Sequence, residues 1–89
     1  MKQDELLESV KDILFYEWDP IGVNDNPLCR DEYDSYAPTI VHFLREGADE
    51  HKITGHLIHL QKVSMGLMQI DKDRDLLVTR LLIKLARKQ

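Results

Sequence analysis

Apolar residues recur at helical spacing in four separate segments of this chain, and that recurrence is the strongest constraint on its fold. The first segment carries Leu6, Leu7, Val10, Ile13, Leu14 and Trp18, with charged Glu5, Glu8, Lys11 and Asp12 between them. This pattern predicts an amphipathic helix over about 3 to 17. Asp19-Pro20 stops it, because a proline pushes the preceding residue out of the α region. A second helix is expected over about 31 to 46, with Tyr33, Tyr36, Ile40, Val41 or Phe43, and Leu44 facing inward. Pro38 conflicts with that range. Either the helix begins near Asp34, where a proline suits the first turn, or it starts earlier and kinks at Pro38. Gly47 ends it.

Asp49 then caps a third helix, about 50 to 65, in which Ile53, Leu57 and Leu60 point inward, joined by Ile58, Val63 and Met65. Gly66 ends that one, and Asp71 caps a fourth helix over about 72 to 87. Its inner stripe reads as Leu76, Leu77, Leu81, Leu82 and Leu85. Acids Asp71, Asp73 and Asp75 open this helix and bases Arg80, Lys84, Arg87 and Lys88 close it, matching the helix dipole at both ends. No segment alternates with period two. The expectation is an all-α, compact single domain over residues 1–89, of about four helices, with a long ordered loop between the first two. In that loop Ile21, Val23 and Leu28 are apolar, so it is expected to fold back onto the core.

At 89 residues the chain is large enough for one core and too small for two. Cys29 is the sole cysteine. An internal disulfide is therefore impossible, a four-cysteine zinc site is excluded, and a reducing, cytoplasmic location fits. There is no apolar run long enough to span a membrane. Met1-Lys2-Gln3-Asp4-Glu5 turns acidic at once, against the pattern of a leader peptide.

Charge is unevenly placed. Glu17 to Tyr36 holds six acids (Glu17, Asp19, Asp25, Asp31, Glu32, Asp34) and one base, Arg30, whereas the whole chain has a net charge of −4. Such a surface repels phosphate, which excludes nucleic acid as its partner, and attracts a basic protein. The same stretch carries aromatic residues suited to anchoring a partner. The joint divides into two sets of residues. Trp18, Asp19, Pro20, Gly22 and Tyr33 read as the structural device that turns the first helix into the second. Asp25, Asp31, Glu32, Asp34 and Tyr36 read as the partner-binding side.

Other constellations are weaker. His56 and His59 share a helical face at i and i+3, as zinc ligands can, but no further ligand is placed beside them by sequence. Asp71-Lys72-Asp73-Arg74-Asp75 imitates the opening of a calcium loop. The glycine and glutamate that such a loop needs are here Leu76 and Leu82, so a helix cap is the better account. Cys29 beside Arg30 lies among acids that disfavour a thiolate. No phosphate-binding glycine loop and no serine flanked by glycines occurs. The expectation is no enzyme, no metal and no cofactor.

The order Trp18-Asp19-Pro20-Ile21-Gly22, then Asp31-Glu32-Tyr33-Asp34-Ser35-Tyr36, then Gly47-Ala48-Asp49-Glu50 resembles a group of small helical bacterial proteins of unknown function. Some of these act as immunity proteins of contact-dependent growth inhibition systems. The resemblance spans about residues 10 to 70, while the fourth helix is generic. It implies a helical fold and an intracellular immunity or antitoxin-like role, in which a basic toxin or nuclease domain is neutralised by occlusion. It brings no catalytic residues. Two alternatives stand beside it: a helical interaction or homodimerisation module using the leucine-rich fourth helix, and a small metal-binding protein using His56 and His59.

Overall fold

A computed structural model describes residues 2–88, with side chains from Glu5 onward. The described residues form four α-helices and no strand: α1 (Lys2–Ile13), α2 (Ala37–Arg45), α3 (Glu50–His59) and α4 (Lys72–Arg87). Two of the helices do not stop where their α-hydrogen bonding ends. Each continues into one wider π turn, Leu14–Trp18 after α1 and Leu60–Ser64 after α3. The backbone bonds are diagnostic. Asp19 N–H reaches Leu14 C=O at 3.0 Å, and Met65 N–H reaches Leu60 C=O at 2.9 Å, each spanning five residues. A π turn changes the angular spacing of side chains. Leu14, Phe15 and Trp18 all turn inward after α1, and Leu60 and Gln61 do so after α3.

The helices pack α1 on α2 and α3 on α4, with α4 also touching α1 and α2. Leu6, Val10, Leu14, Phe15 and Trp18 meet Ile40, Val41 and Leu44 of α2, Ile53 and Leu57 of α3, and Val78 and Leu82 of α4 in one buried cluster. Each fully buried side chain contributes about 1.5–3 kcal/mol. Between α3 and α4, the Thr54 and Thr79 hydroxyls bond at 2.9 Å, and Arg80 Nε bonds Glu50 at 3.2 Å.

Three details differ from the sequence expectation. First, α2 begins at Ala37, so Pro38 occupies its opening turn, where no N–H is required; a 3₁₀ turn, Asp34–Tyr36, leads into it. No kink is present. Second, the connection expected as one long loop is broken into consecutive turns. These include a 3₁₀ turn at Pro27–Cys29, whose start is capped by Asn26 Oδ1 accepting from Leu28 N–H at 3.0 Å. Within it Val23 packs on the core, but Ile21 and Leu28 face outward, Leu28 at 88% exposure. Third, the buried face of α4 is Asp75, Val78, Thr79 and Leu82, spaced i, i+3, i+4, i+7. Leu77 lies 60% exposed, and Leu76, Leu81 and Leu85 are half-buried. Two polar residues thus occupy the inner face that the leucines were expected to fill. Likewise Val63 is exposed at the end of the α3 π turn, and Phe15, not expected inside, is buried.

Candidate protein-binding surface

The joint is built from the inside outward. Asp19 follows the π turn in a left-handed conformation (φ 34°), one that L-residues adopt at a cost and that aspartate tolerates better than most. Its carbonyl accepts Gly22 N–H at 3.1 Å, closing a turn that has Pro20 in its first central position. Gly22 has φ 77° and open space where a Cβ would stand, so backbone conformation rather than crowding selects glycine. The Asp19 carboxylate then accepts Val23 N–H at 2.8 Å on Oδ1 and Asn24 N–H at 3.0 Å on Oδ2. The Tyr33 hydroxyl donates to Oδ1 at 2.7 Å and accepts Ile21 N–H at 3.1 Å. Burial raises the Tyr33 phenol well above its ordinary range, and the hydrogen bond to Asp19 raises it further. The phenol therefore stays a donor. Five groups lock the turn from beneath.

Trp18 links this lock to the rest of the molecule. Its ring lies 5.5 Å from that of Tyr33 and meets Tyr36 edge-on at 6.5 Å. Its indole N–H donates to Asp75 Oδ1 at 2.9 Å, and Gln61 Nε2 donates to Asp75 Oδ2 at 2.8 Å. Asp75 is 1% exposed. Both donors come from π turns, Trp18 from the one after α1 and Gln61 from the one after α3. The two irregular turns thus aim their polar side chains at one carboxylate on α4. Sequence reasoning assigned Asp75 to the helix dipole and gave Gln61 no role. The available signals were the lone glutamine on an apolar face and an indole that needs a partner when buried.

The outer side separates the expected binding residues. Asp25, Asp31 and Glu32 are exposed. Asp34 and Tyr36 are drawn inward: Asp34 lies 4.0 Å from Lys11 Nζ on α1, and Tyr36 packs on Trp18. Both are half-buried, and the Asp34 side chain keeps about a third of its area open to solvent. Tyr16 (56% exposed), Ile21 (45%) and Leu28 (88%) add apolar area that sequence reasoning did not place on this surface. Arg30, the single base of the segment, is engaged locally. Its guanidinium stacks over Phe15 and Tyr16 at 5.3 and 5.5 Å and pairs with Asp12. That contact ties the turns back to α1 and leaves the three exposed acids without a neutralising cation from Arg30. Cys29 is half-buried.

The histidines are spread out. His42, His51 and His59 are exposed. His56 lies edge-on against Phe43 at 5.1 Å, with its Nε2 buried and unbonded among the described residues. Burial lowers the His56 pKa below its usual value, and nearby His59 lowers it further. No group of three or more potential metal ligands occurs among the described residues, and His56 and His59 gain no third partner. No helix of the described residues is long and apolar enough to cross a membrane. Compared with family models, curated proteins and solved structures, the chain matches none of them.

Proposed function

We propose that this chain is a protein-binding module that occludes a basic protein domain through the outer face of the joint. The carrying observation is the combination of three exposed acids, Asp25, Asp31 and Glu32, with the projecting side chain of Leu28, on hydrogen-bonded turns capped by Asn26 and anchored at their start by Asp19. Acids steer an oppositely charged partner and set its register, while an exposed apolar side chain supplies area to bury. A preordered backbone reduces the entropy that binding would otherwise cost. On the resemblance carried by the Trp18–Gly22 turn and the Asp31–Tyr36 segment, the partner is a toxin or nuclease domain and the role is immunity. Inhibition by coverage needs no catalytic group in the inhibitor.

The test is co-expression with the product of the adjacent gene, read as growth. That product is expected to be toxic alone and harmless with this chain. The triple reversal Asp25→Lys, Asp31→Lys, Glu32→Lys should abolish protection. An adjacent product that is harmless by itself overturns the immunity role. Protection that survives the triple reversal overturns the surface.

A further inference from the structure

The basic counterpart of the joint lies on the same chain. The turn from Gly47 to Glu50 and the C-terminal half of α4 enclose a groove of about 600 Å³. Arg80, Lys84 and Arg87 line its α4 wall, and Ile83 and Ala48 give it an apolar floor that continues into a smaller hollow of about 200 Å³. The two acids on the opposite wall are already engaged. Asp49 caps α3 by accepting Lys52 N–H at 2.9 Å, and Glu50 accepts from Arg80. Lys84 and Arg87 have no hydrogen bond or ion pair among the described residues. The groove thus offers two uncommitted cations beside an apolar floor. Its complement is an acidic segment with a projecting aliphatic side chain.

The joint has that chemistry: Leu28 projects from the Pro27–Cys29 turn, with Asp25, Asp31 and Glu32 around it. We propose that the groove receives the Leu28 turn of a second copy of this chain. The inference rests on the joint being a protein-binding surface, and it names one of that surface's partners. The two faces are separated along α4. Asp75, which fixes the joint through Trp18, stands about 13 Å from Lys84 along the helix axis. One copy can therefore present its joint while its own groove accepts another. Such a head-to-tail contact is heterologous and either closes into a ring or continues as a chain. It also covers the joint, so self-association and binding of a basic partner exclude one another at that surface.

Sedimentation velocity across a wide concentration range, at low and high salt, tests this with three proteins. The wild type should associate at low salt and dissociate as salt rises. Asp31→Lys with Glu32→Lys, and separately Lys84→Glu with Arg87→Glu, should each be monomeric. Mixing the two variants should restore association, because the intact joint of one then meets the intact groove of the other, and the two reversed faces also oppose each other in charge. One variant is neutral overall and the other more acidic than wild type, so bulk attraction does not explain such a rescue. Leu28→Ala should weaken association by about tenfold. A wild type that stays monomeric at low salt, a single variant that still associates, or a mixture that stays monomeric overturns the proposal. The groove variant should still protect cells in the growth test. Loss of association with protection intact in that variant separates the two surfaces. Failure of self-association with protection intact removes this inference and leaves the joint's role standing.

Discussion

Asp19 and Asp75 lie on either side of Trp18 and Tyr33, both nearly inaccessible to solvent, and the chain satisfies them by different means. Asp19 is served mainly by its own turn, through backbone amides four and five residues ahead, with one side chain, the Tyr33 hydroxyl, reaching it from fourteen ahead. Asp75 is served across the fold, by an indole 57 residues away and an amide 14 residues away. One carboxylate shapes a turn, and the other fastens three elements together. The difference matters because losing a local acceptor lets a turn loosen toward water. Losing a central acceptor strands the buried indole N–H and leaves Gln61 Nε2 with the Leu57 carbonyl, at 3.1 Å, in place of two acceptors.

Asp75→Ala should accordingly give the largest loss, about 3–5 kcal/mol, since two charge-assisted hydrogen bonds disappear and both donors stay buried. Urea denaturation followed by tryptophan fluorescence measures it directly, because Trp18 is the reporter as well as the partner. Asp75→Asn retains one acceptor oxygen but turns an NH₂ group toward a donor, and should recover only part of the loss. If Asp75→Ala costs no more than a typical surface change, the three-way contact is not what holds these elements together.

Asp19→Ala should cost less, about 2–3 kcal/mol, although it removes three accepted bonds. Ile21 and Asn24 lie at the surface, so the turn can open and rehydrate its amides. Hydrogen exchange should show the distinction. The amides of residues 21–24 should lose protection in Asp19→Ala while those of α3 and α4 keep theirs, whereas Asp75→Ala should weaken protection throughout. The double variant sharpens the comparison further. Trp18 and Tyr33 pack at 5.5 Å between the two carboxylates, so the losses should depart from additivity by about 0.5–1.5 kcal/mol. Strict additivity would mean two independent devices.

The same contrast explains what the sequence reveals. Asp19 was legible because its backbone partners are near in the chain: Trp18-Asp19-Pro20 ends a helix, and Gly22 closes the turn that follows. The four helices were legible from their periodicity, and the α4 bounds of 72–87 coincide with those in the structure. Asp75 was not legible. An aspartate in the first turn of a helix has a sufficient local explanation in the dipole, and its distant partners leave no trace in spacing. For the same reason the inner face of α4 was assigned to its leucines, one step around from Asp75, Val78, Thr79 and Leu82. The π turns escaped too, since a single widened turn does not disturb an apolar pattern read over the whole helix. On the outer side, acidity was readable but direction was not. Nothing local distinguishes Asp34, held near Lys11 on α1, from exposed Asp31.

His56 supplies the opposite case, a buried polar atom with no acceptor or donor opposite it among the described residues, and the smallest expected effect. Its ring meets the edge of Phe43, the ring over which Lys52 Nζ also sits at 5.0 Å, while His59 lies one turn further along α3. The charged form therefore loses hydration and gains repulsion, and the folded pKa falls below the ordinary value of about 6.5. The unfolded chain then binds the proton more readily than the folded one. Stability contributed by neutral His56 is fully present above about pH 6.5 and is lost as pH falls through the lower folded pKa. His56→Leu removes the titrating group and the unbonded nitrogen together. Its denaturation midpoint should lie close to wild type at neutral pH and increasingly above it in mild acid. His59→Ala should reduce the acid sensitivity of the wild-type background by relieving the repulsion. A gap between wild type and His56→Leu that does not change with pH would mean that the imidazole protonates as easily folded as unfolded. In that event the ring is not confined against Phe43 in solution, and the contrast with the two satisfied carboxylates fails at this site.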